Sequence, residues 1–223
     1  MIDKELKNKA LKLRRDGFSY SDIVKEIKVS KGTLWYWFSK YEWSQEVRLK
    51  NSEKTKAEAT KRLLKYVDER RVQLSLLYEN AKLEAEKEMI IFRYDPVFIA
   101  ALMLYLGEGD KSSKGHSLRI GNIDPAVLNI FIKFLSQFCK VDSFKIKFWL
   151  LCYPDHNVEL CENWWSERLS ISKDHFYKTQ IIQGRHKSKK LPYGVGNITI
   201  GGKRLKVKVL HWIVLMCQEL LRV

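Results

Sequence analysis

The sequence has little proline and cysteine, and it has no long apolar run. Its 223 residues include 4 prolines and 4 cysteines, and no two cysteines form a CxxC pair. No apolar stretch reaches the roughly 18 residues of a membrane-spanning helix, and no secretory leader is recognisable. These absences argue against a disulfide-rich secreted protein and against a membrane partner. They predict a protein of a reduced, cytoplasmic compartment.

Two of the cysteines lie close to a histidine in the sequence. Cys152, His156 and Cys161 form this group, and Cys139 and Cys217 complete the cysteine set. The spacing of the group matches no common zinc pattern, and no fourth ligand is evident. The sequence therefore favours ordinary core cysteines over a metal site.

Acidic residues are scarce relative to basic ones. The chain has 41 Lys and Arg against 26 Asp and Glu, which gives a net charge of +15. Between Lys173 and Lys208, ten basic residues accompany a single acid, Asp174. Such a one-sided stretch repels itself unless it meets phosphate, although a solvated lysine-rich face is the alternative. Nucleic acid is the first candidate partner.

Glycine and proline are both absent between Trp43 and Glu88. The residues there are mostly strong helix formers, so we expect one long helix, or two, to form a connector over residues 44–93. An apolar seam along it is interrupted by Arg70 and consists of Leu63, Val67, Leu74, Leu77 and Ala81. A short dimerising coiled coil and a plain solvated spacer both remain open.

Residues 1–43 are predicted to form three short helices. The first ends at Asp16-Gly17, Ser19 or Ser21 can cap the second, and Ser30 begins the third after a tight turn. The stretch from about residue 4 to 41 resembles the helix-turn-helix of resolvase-type regulators. The residues that match the sequence pattern of that family are Gly17, Ser21, Ile23, Ile27, Val29, Ser30, Thr33 and Trp37.

This resemblance implies that the third helix is a recognition helix for the major groove. The DNA-facing residues would be Ser30, Lys31, Thr33, Tyr36 and Lys40, and those packed inward Leu34, Trp37 and Phe38. Lys28 departs from this pattern, which predicts a looser turn between the second and third helices. A three-helix bundle used for protein contacts is the alternative.

Residues 94–223 alternate between helical and strand patterns. Helices are predicted over 97–106, from Asp124-Pro125 onward, over 158–169 and over 205–221. Strands are predicted over 117–121 and 144–152, and 176–183 and 195–201 are predicted as a pair of strands. The whole is predicted to be an α+β protein, with an all-α N-terminal module, a helical connector and an αβ domain whose helices lie on one side of the sheet.

A carboxylate lies between two glycines where the first helix of this domain should end. Glu108 is flanked by Gly107 and Gly109, and Asp110 and Lys111 follow. The helix C-terminus is expected to offer carbonyl oxygens rather than cationic compensation, so a divalent cation would neutralise the local negative charge. A helix stop with a surface acid is the alternative.

Residues 104–109, LYLGEG, resemble the end of the LAGLIDADG endonuclease motif, with Glu108 at its metal-binding acid. Residues 120–124, IGNID, and the helix after them resemble the strand and helix that come next in that family. The resemblance covers about residues 95–222. Met103 stands where a small residue lets two motif helices touch, Leu106 replaces an acid, and the helix at 158–169 interrupts the usual strand order.

The resemblance implies a saddle-shaped domain that binds double-stranded DNA as a homodimer, paired through the helix that ends at Glu108. Two copies of Glu108 would hold Mg²⁺ near the scissile phosphates, and Asp110 would assist through a bound water. Lys147 and Lys178 would stabilise charge on the reacting phosphate. Further DNA contacts are expected from Arg185, Lys187, Lys189 and Lys190, in a phosphate-binding loop rather than a nuclear address, and from Lys203 and Arg204.

Three functions remain open on the sequence. The first is a site-specific, Mg²⁺-dependent DNA endonuclease. The second is a catalytically silent transcriptional regulator with the same two DNA-binding domains, similar to bacterial sporulation regulators that join a degenerate LAGLIDADG domain to a helix-turn-helix. Both predict a nucleoid-associated protein. The third, an RNA-binding or structural scaffold, draws on Trp164, Trp165 and Tyr193, which are predicted to be exposed near basic residues.

Overall fold

The computed structural model describes residues 4–112, 114–182 and 191–222. The chain divides into two compact units between Gln73 and Leu74. This boundary lies inside one continuous helix of 51 residues, α4 (Glu42–Phe92). The prediction of a long helix here is confirmed, and the residues predicted as a connector are shared between the two units.

The N-terminal unit contains α1 (Lys4–Arg15), α2 (Tyr20–Ile27), α3 (Lys31–Phe38) and the first part of α4. Ser19 caps α2 by accepting a hydrogen bond from the Asp22 N–H, and Ser30 caps α3 by accepting one from the Thr33 N–H. Both caps satisfy donors that a helix start leaves free. A separate apolar core holds the helices together and consists of Ala10, Ile23, Ile27, Leu34 and Phe38.

The turn between α2 and α3 is tight, so the prediction of a looser turn at Lys28 is wrong. Lys28 adopts the left-handed conformation with a φ of 56°, and its N–H donates to the Val24 carbonyl. A C-terminal cap of this kind is usually glycine, because a side chain strains the left-handed region. Here the capping bond holds a lysine in that conformation.

The C-terminal unit is an α+β fold, as predicted. Its helices after α4 are α5 (Pro96–Glu108), α6 (Pro125–Gln137), α7 (Val158–Leu169) and α8 (Lys203–Leu220). Its strands are β1 (Ser117–Asn122), β2 (Lys147–Cys152), β3 (Gln180–Ile181) and β4 (Val195–Gly201). Single 3₁₀ turns occupy Ser143–Lys145 and Lys173–His175, so β2 begins three residues later than predicted.

The strands form one mixed sheet in the order β1-β4-β2-β3. β4 runs antiparallel to β1 and to β2, whereas β3 runs parallel to β2. The predicted pairing of β3 with β4 is therefore wrong. The reason is that residues 176–182 follow β2: the Tyr177 N–H donates to the Phe148 carbonyl, and the Ile182 N–H donates to the Cys152 carbonyl.

One face of the sheet is buried beneath the helices. Its inward side chains are Leu118, Ile120, Phe148, Leu150, Ile198 and Ile200. Trp165 packs on the same core and is fully buried, with its Nε1 donating to the Tyr193 carbonyl. The prediction that Trp165 is exposed is wrong, because its position in α7 faces Phe148 and Gly196 across the core.

Among the described residues, no helix combines the length and the apolar character that crossing a membrane requires.

Candidate nucleic-acid interface

The residues predicted to face DNA lie on α3 and at its two ends. Ser30, Lys31, Tyr36 and Lys40 are exposed, and Thr33 is half-buried beside the capping hydroxyl of Ser30. The inward residues are also as predicted, since Leu34 and Phe38 are buried and Trp37 packs against the core. Trp35 is 59% exposed and was missed by the sequence reasoning, although it is adjacent to Tyr36.

A buried arginine fixes α1 against the start of α4. Arg14 is 2% exposed, and its Nη2 and Nε donate to the Ser44 carbonyl and Ser44 Oγ at 2.6 and 3.1 Å. Its Nη1 donates to the Phe18 carbonyl at 2.8 Å, and the guanidinium lies over the Tyr20 ring. Burial lowers the pKa of Arg14. The helices that support α3 are therefore joined by a polar clamp as well as by apolar packing.

The second face of the sheet lies opposite the side chains that pack into the core of the C-terminal unit and carries exposed and half-buried side chains; we call it the open sheet face. Side chains alternate along a strand, so Arg119, Lys147, Trp149 and Thr199 lie on this face. In the strand register, Arg119 is opposite Thr199, which in turn is opposite Lys147. A basic row thus crosses three strands, with about 10 Å between its ends.

The predicted phosphate-stabilising lysines both lie toward the β2 side of the sheet. Lys147 is half-buried on β2, and Lys178 is exposed beyond Tyr177. Neither has an ion pair among the residues that the structure describes. Asp110 lies at the opposite side, where its N–H donates to the Arg119 carbonyl of β1. Because β4 and β1 intervene, one chain does not bring these lysines to Asp110.

Glu108 is the last residue of α5 and is exposed. It has no ion pair or side-chain hydrogen bond within the described parts of the chain. The expectation that this helix end lacks cationic compensation is wrong, because Lys111 Nζ donates to the Leu106 carbonyl at 2.5 Å. Gly109 is required by packing, since a Cβ there would lie 2.5 Å from the Tyr105 carbonyl.

Asp110 is engaged by its own chain. Its Oδ1 accepts from the Ser112 N–H at 2.9 Å, and its Oδ2 lies 3.5 Å from Lys206 Nζ and 3.8 Å from Arg119 Nη2. The Ser112 hydrogen bond, with Lys206 and Arg119, lowers the pKa of Asp110 despite an opposing effect of partial burial. Tyr105 donates to the Asp110 carbonyl, and burial raises the pKa of this phenol to about 12.

Lys206 is the residue at this position that sequence reasoning missed. Its side chain is fully buried, although lysine is rarely so. The signal was the helical spacing of α8, because Lys206 lies three, six and seven residues before Val209, Trp212 and Ile213, all buried. A charged residue at a position that helical spacing predicts to be buried indicates a buried charge with a partner.

The basic residues predicted for the C-terminal segment differ in their availability. Arg204 Nη2 contacts both carboxylate oxygens of Glu84 at 2.5 Å, and Lys203 Nζ donates to the Gly115 carbonyl at 3.1 Å. Both side chains therefore have partners within the C-terminal unit. The other predicted contacts, Arg185, Lys187, Lys189 and Lys190, lie outside the described residues.

The predicted aromatic platform for bases is already occupied. The rings of Trp164 and Tyr193 stack with centroids 4.1 Å apart and planes 9° from parallel. The Arg168 guanidinium lies 4.1 Å from the Trp164 centroid, and so must cover the other face of that ring. With both faces of Trp164 covered, no base can stack on it without displacing Tyr193 or Arg168.

Cys152 and Cys161 are buried, as expected of core cysteines. Burial, with a smaller effect of the neighbouring Cys161, raises the pKa of Cys152 to about 12. The fold nevertheless brings both sulfurs to His156, which the sequence spacing did not indicate.

No family model matches the sequence, and comparisons with curated proteins and with solved structures found no significant match. The function is therefore inferred from the motifs and from the geometry of the chain itself.

Proposed function

We propose that this chain is a double-stranded DNA-binding protein whose helix-turn-helix reads the major groove through α3. The observation that carries the proposal is that the core holds α3 while several of its side chains stay exposed. Leu34 and Phe38 are buried, whereas Lys31 at the first residue of α3 and Tyr36 are exposed, as is Lys40 just beyond the helix end. A helix of this size, held by a tight turn and presenting basic and polar side chains, fits the major groove.

The open sheet face supplies a second set of contacts in this proposal. Lys147 has no acidic partner among the described residues, and Arg119 shares only a long contact of 3.8 Å with Asp110. Contact of these cations with phosphates would release the counterions condensed on the DNA, which favours binding at low salt. Two DNA-contacting modules on one chain raise affinity through effective concentration.

The test is a competition between duplex DNA and RNA of equal length at fixed salt. We expect duplex DNA to bind more tightly, and a Lys31→Ala/Tyr36→Ala variant to lose about tenfold or more in affinity for a selected site. Lys9→Ala is the matched control, because Lys9 is an exposed lysine on α1. Preference for RNA, or equal loss in the control, would contradict the proposal.

DNA cleavage by a homodimer is the second candidate, and the exposure of Glu108 favours it. One chain offers one unpaired carboxylate at this helix end, since Asp110 is held by Ser112, Lys206 and Arg119. Mg²⁺ commonly binds through one or two carboxylates together with substrate phosphates, so Glu108 fits such an ion. When bound, Mg²⁺ would activate water and stabilise the leaving oxygen. Glu108 would hold the ion, and its counterpart in a second copy would supply the other carboxylate.

Incubation of supercoiled plasmid or a selected duplex with protein and Mg²⁺ tests cleavage. Loss of nicking in Glu108→Gln, with nicking retained in Glu159→Gln, would support the catalytic assignment; Glu159 is an exposed acid on α7. Absence of nicking in the unaltered protein, with site-specific binding intact, would favour the silent regulator instead.

The homodimer is proposed to form through α5. Ile99, Met103 and Leu104 of this helix are only partly buried by the rest of the unit, and a Cβ on Gly107 would meet no atom within 4 Å. A Gly107→Leu variant should therefore fold but fail to pair, whereas Gly107→Ala should pair. Sedimentation of the three proteins measures this, and equal dimer fractions would refute the assignment of α5.

A further inference from the structure

Three metal-ligating side chains meet in the C-terminal unit, away from the proposed DNA contacts. The sulfurs of Cys152 and Cys161 and one ring nitrogen of His156 all lie within 4.8 Å of one another. Both cysteines are free thiols and are buried, whereas His156 is half-buried. No other group of three or more histidine, cysteine or acidic ligands lies this close together in the part of the chain that the structure describes.

A strand, a turn and a helix bring these ligands together. Cys152 is the last residue of β2, and Cys161 lies four residues into α7. His156 is in the turn between them, which is closed by its N–H donating to the Tyr153 carbonyl at 3.1 Å. Ligands from both ends of one short connection thus converge without help from a distant part of the chain.

The chain that leads into β4 covers the two sulfurs. Cys161 Sγ lies 3.9 Å from the Pro192 carbonyl. A Cβ at Gly194 would lie 3.4 Å from Cys152 Sγ and 2.2 Å from the Leu151 carbonyl, and the φ of Gly194 is +68°. Only glycine therefore fits there. The close packing fixes the sulfurs and leaves His156 as the member of the group that solvent reaches.

We propose that Cys152, His156 and Cys161 bind one Zn²⁺ ion, with water as the fourth ligand. Zinc bonds of about 2.3 Å to sulfur and about 2.0 Å to nitrogen place tetrahedral ligand atoms roughly 3.5–3.8 Å apart. Because the observed separations are at most 4.8 Å, an adjustment of at most about 1.3 Å reaches this geometry. Two thiolates and an imidazole favour zinc over Mg²⁺ or Ca²⁺, which prefer oxygen ligands.

The ion would join the end of β2 to the first turns of α7. Because the three ligands converge only in the folded chain, zinc binding would add to the stability of the fold. This site is independent of the proposed Mg²⁺ chemistry at Glu108, and it holds whether or not the protein cleaves DNA.

The experiment uses the full-length chain, purified with a reductant that does not bind metal. Zinc content is measured after equilibration with ZnCl₂ and gel filtration, and Co²⁺ is added to a metal-free sample as a spectroscopic probe. We expect one retained zinc per chain, cobalt bands of a tetrahedral thiolate site, and a thermal midpoint that rises with zinc. His156→Gln and Cys161→Ser should each lower zinc affinity by at least about 100-fold. Removing a residue that only supports a metal ligand costs about 10- to 100-fold, and removing a ligand itself should cost no less than the upper value.

Cys217→Ser is the matched control, since this cysteine is half-buried and lies outside the group; it should retain zinc and the cobalt spectrum. His156→Gln keeps the buried thiols and so guards against a variant that merely fails to fold, which circular dichroism checks. The proposal is overturned if the reduced protein retains no zinc, if both ligand variants bind zinc as the unaltered protein does, or if the cobalt spectrum lacks thiolate charge transfer.

Discussion

Lys206 Nζ lies 3.5 Å from Asp110 Oδ2, and this ion pair links α8 to the chain that leaves α5. The lysine side chain is fully buried, so its charge is removed from water and needs this carboxylate. Gly115 lies beside this ammonium, since a Cβ on Gly115 would lie 2.9 Å from Lys206 Nζ. Asp110 thus acts as the counter-ion of a buried lysine.

Removing that counter-ion should destabilise the C-terminal unit. Asp110→Asn leaves the buried ammonium unpaired, and we expect the free energy of unfolding of this unit to fall by about 3 kcal/mol. Lys206→Met added to Asp110→Asn should recover most of the loss, since no buried charge then remains. Hydrogen exchange at α8 and β1 measures this. If the double variant is no more protected than Asp110→Asn, the ion pair is not the cause.

The same pair predicts a dependence of stability on pH. The pKa of Asp110 is lower in the folded chain than its usual value, so its contribution is complete above about pH 4 and is lost as the pH falls through the lowered value. Urea unfolding from neutral pH down to about pH 2 should show the unaltered protein and Asp110→Asn converging at the acid end. Asp142→Asn is the control, since its ion pair with Lys145 is largely exposed. If the stability difference between the unaltered protein and Asp110→Asn stays constant with pH, the prediction is contradicted.

Arg14 should be required for the stability of the helix-turn-helix. Arg14→Met retains the apolar stem but removes the donors to the Phe18 and Ser44 carbonyls, which we expect to cost about 2 kcal/mol. Lys12→Met on the same helix is the control, because Lys12 is exposed. Hydrogen exchange of α1 to α3 reports the change. Equal protection in the two variants would show that apolar packing alone holds α1 in place.

Much of the fold could be predicted because its signals are local. Ser30, Asp95 and Asp124 each precede a helix that begins at the next residue, and each accepts a hydrogen bond from an N–H two or three residues along the chain. Such caps depend on residues that are close in the sequence, so they can be predicted from the sequence alone. The helix boundaries were accordingly close to those observed.

The features that could not be predicted depend on contacts between distant residues. The pairing of Lys206 with Asp110 and the position of β3 beside β2 result from the sheet topology, which no short motif encodes. The group of Cys152, His156 and Cys161 was passed over because its spacing resembles no common motif, although the turn brings the ligands together. The uncommon spacing and the lack of a fourth ligand in the sequence argued against a site that three-dimensional convergence favours.

Lys147 offers the sharpest test that the open sheet face contacts DNA. If its ammonium neutralises one phosphate, Lys147→Gln should reduce the slope of log affinity against log salt by about 0.9 and weaken binding similarly across duplex sequences. Lys133→Gln is the charge-matched control, because Lys133 is exposed on α6, whose buried residues pack against the covered side of the sheet. Fluorescence anisotropy over a series of salt concentrations gives both slopes. A smaller slope for Lys147→Gln alone supports contact through this face. Equal changes in the two variants would mean that only net charge matters, and an unchanged slope would place the DNA elsewhere.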